Sequence, residues 1–159
     1  MYKKVLVLLA LMLPASLLMA QTFKQGDLQI IQPWSQELPP NAPTVAAYFV
    51  IRNDGNEADR LDAVSSPIAG TVEMHQHMDS DGMMKMGAVE GVNVAANDQV
   101  AFAPMGYHVM LMDLQADRSQ LVDGQHFPLT LHFEKAGDVD IEVDVHKQPP
   151  TDSQDHTAH

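Results

Sequence analysis

The sequence predicts an all-β fold, a single domain built as a sandwich or barrel of short antiparallel strands. Its apolar runs are short and are separated by clusters of turn-forming residues. Near the C-terminus, residues 129–134 and 140–145 alternate between apolar and polar side chains on either side of a turn signal at 136–138, which indicates a half-exposed hairpin. No stretch has the periodicity of an amphipathic helix, and only residues 113–123 could hold a helical turn.

The N-terminus has the layout of a secretory signal peptide, residues 1–20. Lys3 and Lys4 form a short basic region, residues 5–13 are apolar, and Ala20 precedes the expected cleavage site. The apolar run is too short to span a bilayer well, so we expect export to the periplasm with cleavage rather than membrane insertion. The chain has no Cys, so we expect neither lipid attachment through Cys nor a disulfide.

The mature chain begins with a series of strand and turn signals. Residues 28–32 are a strand candidate that ends at Pro33, and the three prolines within 36–43 indicate an extended connection. Residues 44–52 are the most apolar run and should form a central strand buried on both faces, ended by the turn formers at 53–56. Further short strands are expected at residues 61–64, 92–96, 100–103 and 108–114.

Potential metal ligands are concentrated in one window, residues 73–114. The eight Met of this window are Met74, Met78, Met83, Met84, Met86, Met105, Met110 and Met112, and its three His are His75, His77 and His108. Thioether sulfur together with imidazole nitrogen suits Cu(I) better than zinc, magnesium or calcium. The window therefore predicts a site for reduced copper.

Turn formers at residues 79–82 predict a four-residue hairpin loop inside this window. The pairs that this loop places opposite one another are Met78 with Met83, His77 with Met84, and His75 with Met86. Directly opposed side chains have Cβ atoms about 4.5–5.5 Å apart, so His75 and Met86 could share one ion.

The second half of the predicted site follows a turn signal at residues 104–106. His108 and Met110 are two residues apart on the next strand, so they project from the same face. One hairpin and one further strand can thus present two His and two Met to one point.

The four residues form the pattern H-x10-M-x21-H-x-M, which comprises His75, Met86, His108 and Met110. This pattern resembles the signature of the periplasmic copper chaperones called PCuAC, and Pro33-Trp34, Ala47-Tyr48-Phe49 and Asn53-Asp54-Gly55 also resemble that family. The resemblance implies a cupredoxin-like Greek-key β-sandwich in which these four residues are the metal ligands. It further implies two kinds of partner, namely the cytochrome c oxidase subunit that carries the copper A site and SCO-type thioredoxin-like proteins.

The ligand set also predicts the chemistry. Two neutral His and two neutral Met favour Cu(I) over Cu(II), which prefers nitrogen and oxygen donors in tetragonal geometry. Thioethers need no deprotonation, and ligands near a surface turn can be exchanged singly by those of an acceptor. We therefore expect copper binding and transfer by a chaperone that is not an enzyme.

Most other candidate ligands have a simpler structural explanation. Met in a strand usually packs in the core or at its rim, and this is the expectation for Met74, Met78, Met83, Met84, Met105 and Met112. For Met83 and Met84, which lie beside an acidic turn, exposure to solvent is the open alternative. His77 and His132 are expected to be surface residues, and His126 lies in a loop-like stretch. The sequence leaves the roles of His77, Met83 and Met84 open.

Charge and composition define the rest of the chain. The formal net charge is −12, and it becomes more negative when the signal peptide is removed, which disfavours binding to nucleic acid or an anionic membrane. We expect one domain over residues 21–147, a monomer, followed by a disordered tail at 148–159. His146, His156 and His159 in or beside this tail could bind Cu(II) weakly, or the tail could be simply solvated.

Other classes of function fit the sequence less well. A blue-copper electron carrier needs a Cys thiolate, which is absent. No Gly-x-Ser-x-Gly or zincin-like motif indicates an enzyme, and His132-Phe133-Glu134 is a lone His-x-Glu without paired Cys ligands. A plain adhesion sandwich would leave the Met cluster as core. A periplasmic copper buffer or resistance protein remains open, because it would use the same ligands.

Overall fold

The computed structural model describes residues 20–151, and within them the chain is almost entirely β-structure. Eleven strands are connected by short turns, and one 3₁₀ turn, Arg118–Leu121, precedes the last hairpin. The strands are β1 Thr22–Gln25, β2 Leu28–Gln36, β3 Val45–Asn53, β4 Asp59–Ser65, β5 Ala69–Ser80, β6 Met83–Val89, β7 Val92–Val94, β8 Asp98–Phe102, β9 Tyr107–Leu114, β10 His126–Phe133 and β11 Gly137–His146. This confirms the predicted all-β class and the helical turn expected within residues 113–123.

The strands pair in the order β6-β5-β9-β8-β3-β2-β11-β10-β4-β7, and β1 pairs with β2. Most neighbours are antiparallel, but β11 runs parallel to β2 and β8 runs parallel to β9. The sheet encloses one hydrophobic core that joins its two halves, since Val109 and Leu111 of β9 belong to the same buried cluster as Leu129 and Leu131 of β10. The metal-ligand window therefore lies on a sheet whose other face is fixed by the core.

The predicted C-terminal hairpin is confirmed in detail. Strands β10 and β11 are antiparallel, with Leu129 opposite Ile141 and Leu131 opposite Val139. The side chains of these four residues are buried, while Thr130 on the alternate face is only half-buried. Side-chain alternation along a strand has thus separated the core face from the solvent face, as the sequence pattern indicates.

The prediction that the first strand ends at Pro33 is wrong, because β2 continues to Gln36. Its register with β3 shifts between Ile31 and Trp34, and Gln32 has a φ of 49°. Pro is tolerated in a strand at such a bulge, because the residue there gives no hydrogen bond to the ladder. The strand resumes beyond it, and Trp34 is buried with its ring 4.8 Å from that of Tyr48.

The central strand β3 is buried on one face rather than on both. Its residues alternate between buried and half-buried along the whole length, from Val45 to Asn53. It pairs with β2 on one side and with β8 and β9 on the other, so its central position is confirmed.

Within the described residues, no helix is long and apolar enough to cross a membrane. All of the predicted signal peptide 1–20 except Ala20, and the tail residues His156 and His159, lie outside the described residues.

Candidate metal centre

The hairpin β5–β6 has a different register from the one predicted. The turn consists of only Asp81 and Gly82, with Ser80 opposite Met83. Both turn residues have positive φ, 54° and 76°, as the tight hairpin turns that match strand twist require. Asp79 and Ser80 therefore extend the strand instead of forming the loop.

Three predicted residue pairs are wrong as a result. The structure pairs Met78 with Lys85, His77 with Met86, and His75 with Ala88. The slip is two residues, so every side chain keeps its predicted face of the sheet. His75, His77 and Met86 still share one face, with Met86 now diagonal to His75.

Strand β9 carries the other two candidate ligands, His108 and Met110. It pairs with β5 so that His108 lies directly opposite His75, and Met110 lies directly opposite Glu73. Val109 and Leu111, between and beyond the two candidate ligands, are buried in the core. The candidate ligands of β9 therefore stand on the outer face of the sheet.

His108 is the most buried of the candidate ligands, with 3% of its surface exposed. Its Nδ1 donates to the Gly106 carbonyl at 3.3 Å, which leaves the lone pair on Nε2. That Nε2 atom lies 2.9 Å from Sδ of Met86. An imidazole nitrogen from β9 and a thioether from β6 are thus directed at the same spot above β5.

One ring nitrogen of His75 has a hydrogen-bond partner and the other has none. Its Nε2 lies 2.8 Å from Oε2 of Glu73, whereas Nδ1 is buried and is the one such side-chain atom without a hydrogen-bond partner among residues 20–151. A buried polar atom without a partner is rare and costly in a folded protein. Metal-binding His residues commonly donate one ring N–H to a carboxylate and use the other nitrogen as ligand. The environment of His75 fits that pattern.

Electrostatics favour the neutral form of His108. Burial lowers the pKa of the His108 imidazole, and the nearby His77 and His75 lower it further, although the hydrogen bond to Gly106 opposes the change. A neutral imidazole is the form that binds a metal. The rings of His75 and His77 lie 5.7 Å and 5.3 Å from the ring of His108.

The structure brings three of the four predicted ligands, His75, Met86 and His108, into one cluster. Met110 stands on the same face of β9, one residue pair further along. Within residues 20–151, no group of three or more His, Cys, Asp or Glu side chains is arranged to hold a metal ion; thioether sulfur is not one of those donors.

The remaining Met and His residues fall into distinct groups. Met74 packs in the core, one of the two expected placements, whereas Met78 and Met105 are exposed and do not pack in the core. Met83 and Met84 are exposed, which decides between the two placements left open for them. His132 is a partly exposed residue that bridges Ser65 and Asp138 by hydrogen bonds.

Sequence reasoning missed two residues near the site. Glu73 was not predicted to take part, although a Glu two residues before a ligand His on a strand must share its face. His77 was predicted to be a surface residue, yet it is half-buried and lies beside His108. The dipeptide Asp81-Gly82 would have given the correct register, since it is a strong signal for a two-residue hairpin turn.

Comparisons with known proteins agree with this architecture. The solved structure of a copper-bound PCuAC domain from PmoF2 is 25% identical, with a TM-score of 0.68, and the match covers 80% of this chain and 99% of that domain. The apo PCuAC domain from PmoF1 gives 25% identity and a TM-score of 0.67, over 80% of this chain and 100% of that domain. These neighbours bear out the cupredoxin-like fold.

Sequence comparison identifies the family. A protein of Leifsonia xyli subsp. xyli (strain CTCB07) named "Putative lipoprotein Lxx21020" is 30% identical over 139 residues, which cover 86% of this chain and 79% of that protein. The family model described as "Putative lipoprotein LpqE-like" matches residues 28–145, from the start of β2 almost to the end of β11. The chain therefore belongs to the LpqE-like family.

Proposed function

We propose that this protein is a copper chaperone that binds one Cu(I) ion through His75, Met86, His108 and Met110 and delivers it to an acceptor protein. The observation that carries the proposal is the 2.9 Å approach of His108 Nε2 to Met86 Sδ, with the ring of His75, whose buried Nδ1 has no hydrogen-bond partner, 5.7 Å from the ring of His108. These are three uncharged soft or borderline donors on one face of the sheet, with a second thioether, Met110, one residue pair away.

The donor set selects the oxidation state of the ion. Thioether and imidazole ligands suit Cu(I), whereas Cu(II) is better served by harder donors in a tetragonal arrangement. A site with two His and two Met would leave the complex with the single positive charge of the ion. The ion stays reduced throughout binding and transfer, so no electron donor is required.

Exposure of the ligands suits a carrier. His108 is buried, but half of the Met86 surface is exposed, at 50%. An acceptor can therefore reach the ion from the exposed Met86 side while other ligands still hold it. Such stepwise exchange allows copper to pass between proteins without release into water.

Two of the comparisons support the proposal. The copper-bound domain from PmoF2 shares the fold at 25% identity over almost its full length. The lipoprotein naming of the family supports export, and the predicted signal peptide at residues 1–20 extends this to a periplasmic location. The proposed acceptor is the copper A subunit of cytochrome c oxidase, reached directly or through an SCO-type thioredoxin-like protein, with the chaperone acting as a monomer.

Transfer is the experiment that tests the proposal. The purified protein is loaded with Cu(I) under anaerobic conditions, its X-ray absorption spectrum is recorded, and it is mixed with an apo copper A domain. We expect one tightly bound ion with sulfur and nitrogen neighbours, and its movement to the acceptor. Tight binding without transfer to either proposed partner would instead support a copper buffer, and absence of Cu(I) binding would overturn both functions.

A further inference from the structure

The β5–β6 hairpin carries a second set of potential ligands outside the proposed site. Beyond His75, the next two residue pairs on the same face are His77 with Met86 and Asp79 with Met84. Strand β9 ends its pairing with β5 at Tyr107, opposite Gln76, so this part of the hairpin extends past β9 as a two-stranded ribbon. The outer face of the ribbon thus presents one imidazole, two thioethers and one carboxylate.

Exposure increases in steps along this face. His108 is 3% exposed and the His75 side chain 16%, whereas Met86 is 50% and Met84 is 55% exposed. Met86 lies beside both the buried and the exposed donors. It is paired with His77, and its sulfur lies 2.9 Å from His108 Nε2. One thioether therefore connects the buried donors to the exposed ones.

The imidazole of His77 is free to bind a metal ion. Its ring lies 5.3 Å from the ring of His108, and the imidazole makes no side-chain hydrogen bond to any residue within 20–151. Its position is fixed through the backbone, since the His77 amide donates to the Gly106 carbonyl at 3.3 Å. An imidazole with a held backbone and uncommitted nitrogens can bind an ion without rearrangement of the strand.

We infer that His77 and Met84, together with the shared thioether of Met86, form an outer Cu(I) position through which the ion leaves the inner site. This inference rests on the proposed function. The ion moves when His77 Nε2 or Nδ1 and Met84 Sδ replace the inner imidazoles and Met110, while Met86 stays bound. Only metal–ligand bonds form and break, and the ion remains Cu(I). Asp79, beside Met84, places a negative charge next to the ion at this outer position.

The first test measures release. The double variant His77→Gln/Met84→Leu and the wild type are loaded with one equivalent of Cu(I) and mixed with excess bicinchoninate, which forms a coloured Cu(I) complex. We expect the variant to keep an affinity within about threefold of the wild type, but to release the ion at least about tenfold more slowly. Met83→Leu is the matched control, because Met83 is equally exposed at 61% but lies on the opposite face of β6. It should release copper at the wild-type rate.

The second test removes the inner thioether. Met110→Leu should still hold one Cu(I), more weakly, with His77, Met84 and Met86 as donors. Adding His77→Gln and Met84→Leu to it should cost a further loss of at least about tenfold in affinity, a larger factor than the same pair costs in the wild type.

Either of two results would overturn the outer position. One is an unchanged release rate in His77→Gln/Met84→Leu. The other is a loss of tight binding in that variant, which would make His77 or Met84 an inner ligand. Failure of the proposed function has a different outcome, since the wild type itself would then not bind Cu(I) or not deliver it to an acceptor.

Discussion

Oε2 of Glu73 lies 2.8 Å from Nε2 of His75, two residues further along the same face of β5. The carboxylate accepts a hydrogen bond from Nε2, and the buried Nδ1 is left without a hydrogen-bond partner. Glu73 therefore acts as a positioning residue that fixes both the ring orientation and the tautomer of His75.

The first prediction concerns this pair. Glu73→Ala should lower the Cu(I) affinity by about 10–100-fold, because the loss of a carboxylate partner typically costs a metal site that much. Glu73→Gln should recover part of the loss, since its amide oxygen can still accept the hydrogen bond from His75. Competition against a Cu(I) chelator measures both. Glu142→Ala is the matched control, a half-exposed carboxylate beside His126 on another part of the sheet. Equal affinities for Glu73→Ala and the wild type would contradict the positioning role.

The second prediction concerns the thioethers. Met86→Ala/Met110→Ala should weaken Cu(I) binding by at least about 100-fold, because both soft donors of the proposed site are lost. The free energy of unfolding should change by less than about 1 kcal/mol, since neither side chain belongs to the buried core. Chelator competition and urea denaturation measure the two quantities. Met83→Ala/Met105→Ala, which removes two exposed thioethers, should leave the affinity unchanged. Wild-type affinity in the first double variant would exclude the proposed ligand set.

The third prediction is a pH dependence of stability in the copper-free protein. Burial holds the pKa of His108 below its value in the unfolded chain, which is about 6.5. Between the two pKa values the unfolded chain binds more protons, so the free energy of unfolding rises with pH in that interval. The contribution of neutral His108 is complete above the unfolded pKa and is lost as the pH falls through the folded one.

Urea denaturation between about pH 5 and pH 8 checks this dependence. His108→Gln should flatten the profile in this range, because Gln does not titrate. His126→Gln serves as control, since the His126 side chain is 63% exposed. A profile of His108→Gln as steep as that of the wild type would show that other groups cause the dependence.

The fourth prediction separates folding from metal binding. Leu131→Ala should lower the free energy of unfolding by about 2–5 kcal/mol, because the fully buried Leu131 would leave a cavity in the core. The Cu(I) affinity of the folded variant should be unchanged, since Leu131 lies on β10, away from β5, β6 and β9. Thermal unfolding and chelator competition measure the two effects. Thr130→Ala, a change at the neighbouring residue on the opposite face, should have a much smaller effect on stability. A large loss of affinity in Leu131→Ala would mean that the core and the site are coupled.

The sequence predicted the class of the fold because side-chain alternation is a local signal. Residues 129–134 carry it without interruption, and the structure places their apolar members in the core. The end of β2 could not be predicted in the same way. Pro33 interrupts the strand pattern locally, but the bulge between Ile31 and Trp34 lets pairing resume, and that depends on the neighbouring strand β3.

The sequence predicted that the candidate ligands His75 and Met86 share a face of the sheet, but it did not predict the register of the β5–β6 hairpin. Turn propensity alone made residues 79–82 a loop, whereas Asp81-Gly82 forms the whole turn and the strand includes Ser80. The two-residue slip preserved the face of His75 and Met86 because side chains alternate with a period of two. It changed which residue lies opposite Met86, and that residue is His77.

The orientation of His75 could not be predicted at all. The spacing of Glu73 and His75 shows that they share a face, but which ring nitrogen the carboxylate holds depends on side-chain rotamers and on burial by β6 and β9. The pairing of Glu73 with Met110 likewise needs the β5–β9 register, which joins residues distant in sequence.

Alternate residues of strand β9 serve two different purposes, core packing and the candidate metal site. Val109 and Leu111 pack in the core, whereas His108 and Met110 lie on the opposite face of the strand. Residues on one face of β9 can therefore be substituted in evolution without changing the residues on the other face. Substitutions at the two donor positions could therefore change the metal specificity of the protein while the β-sandwich stays intact.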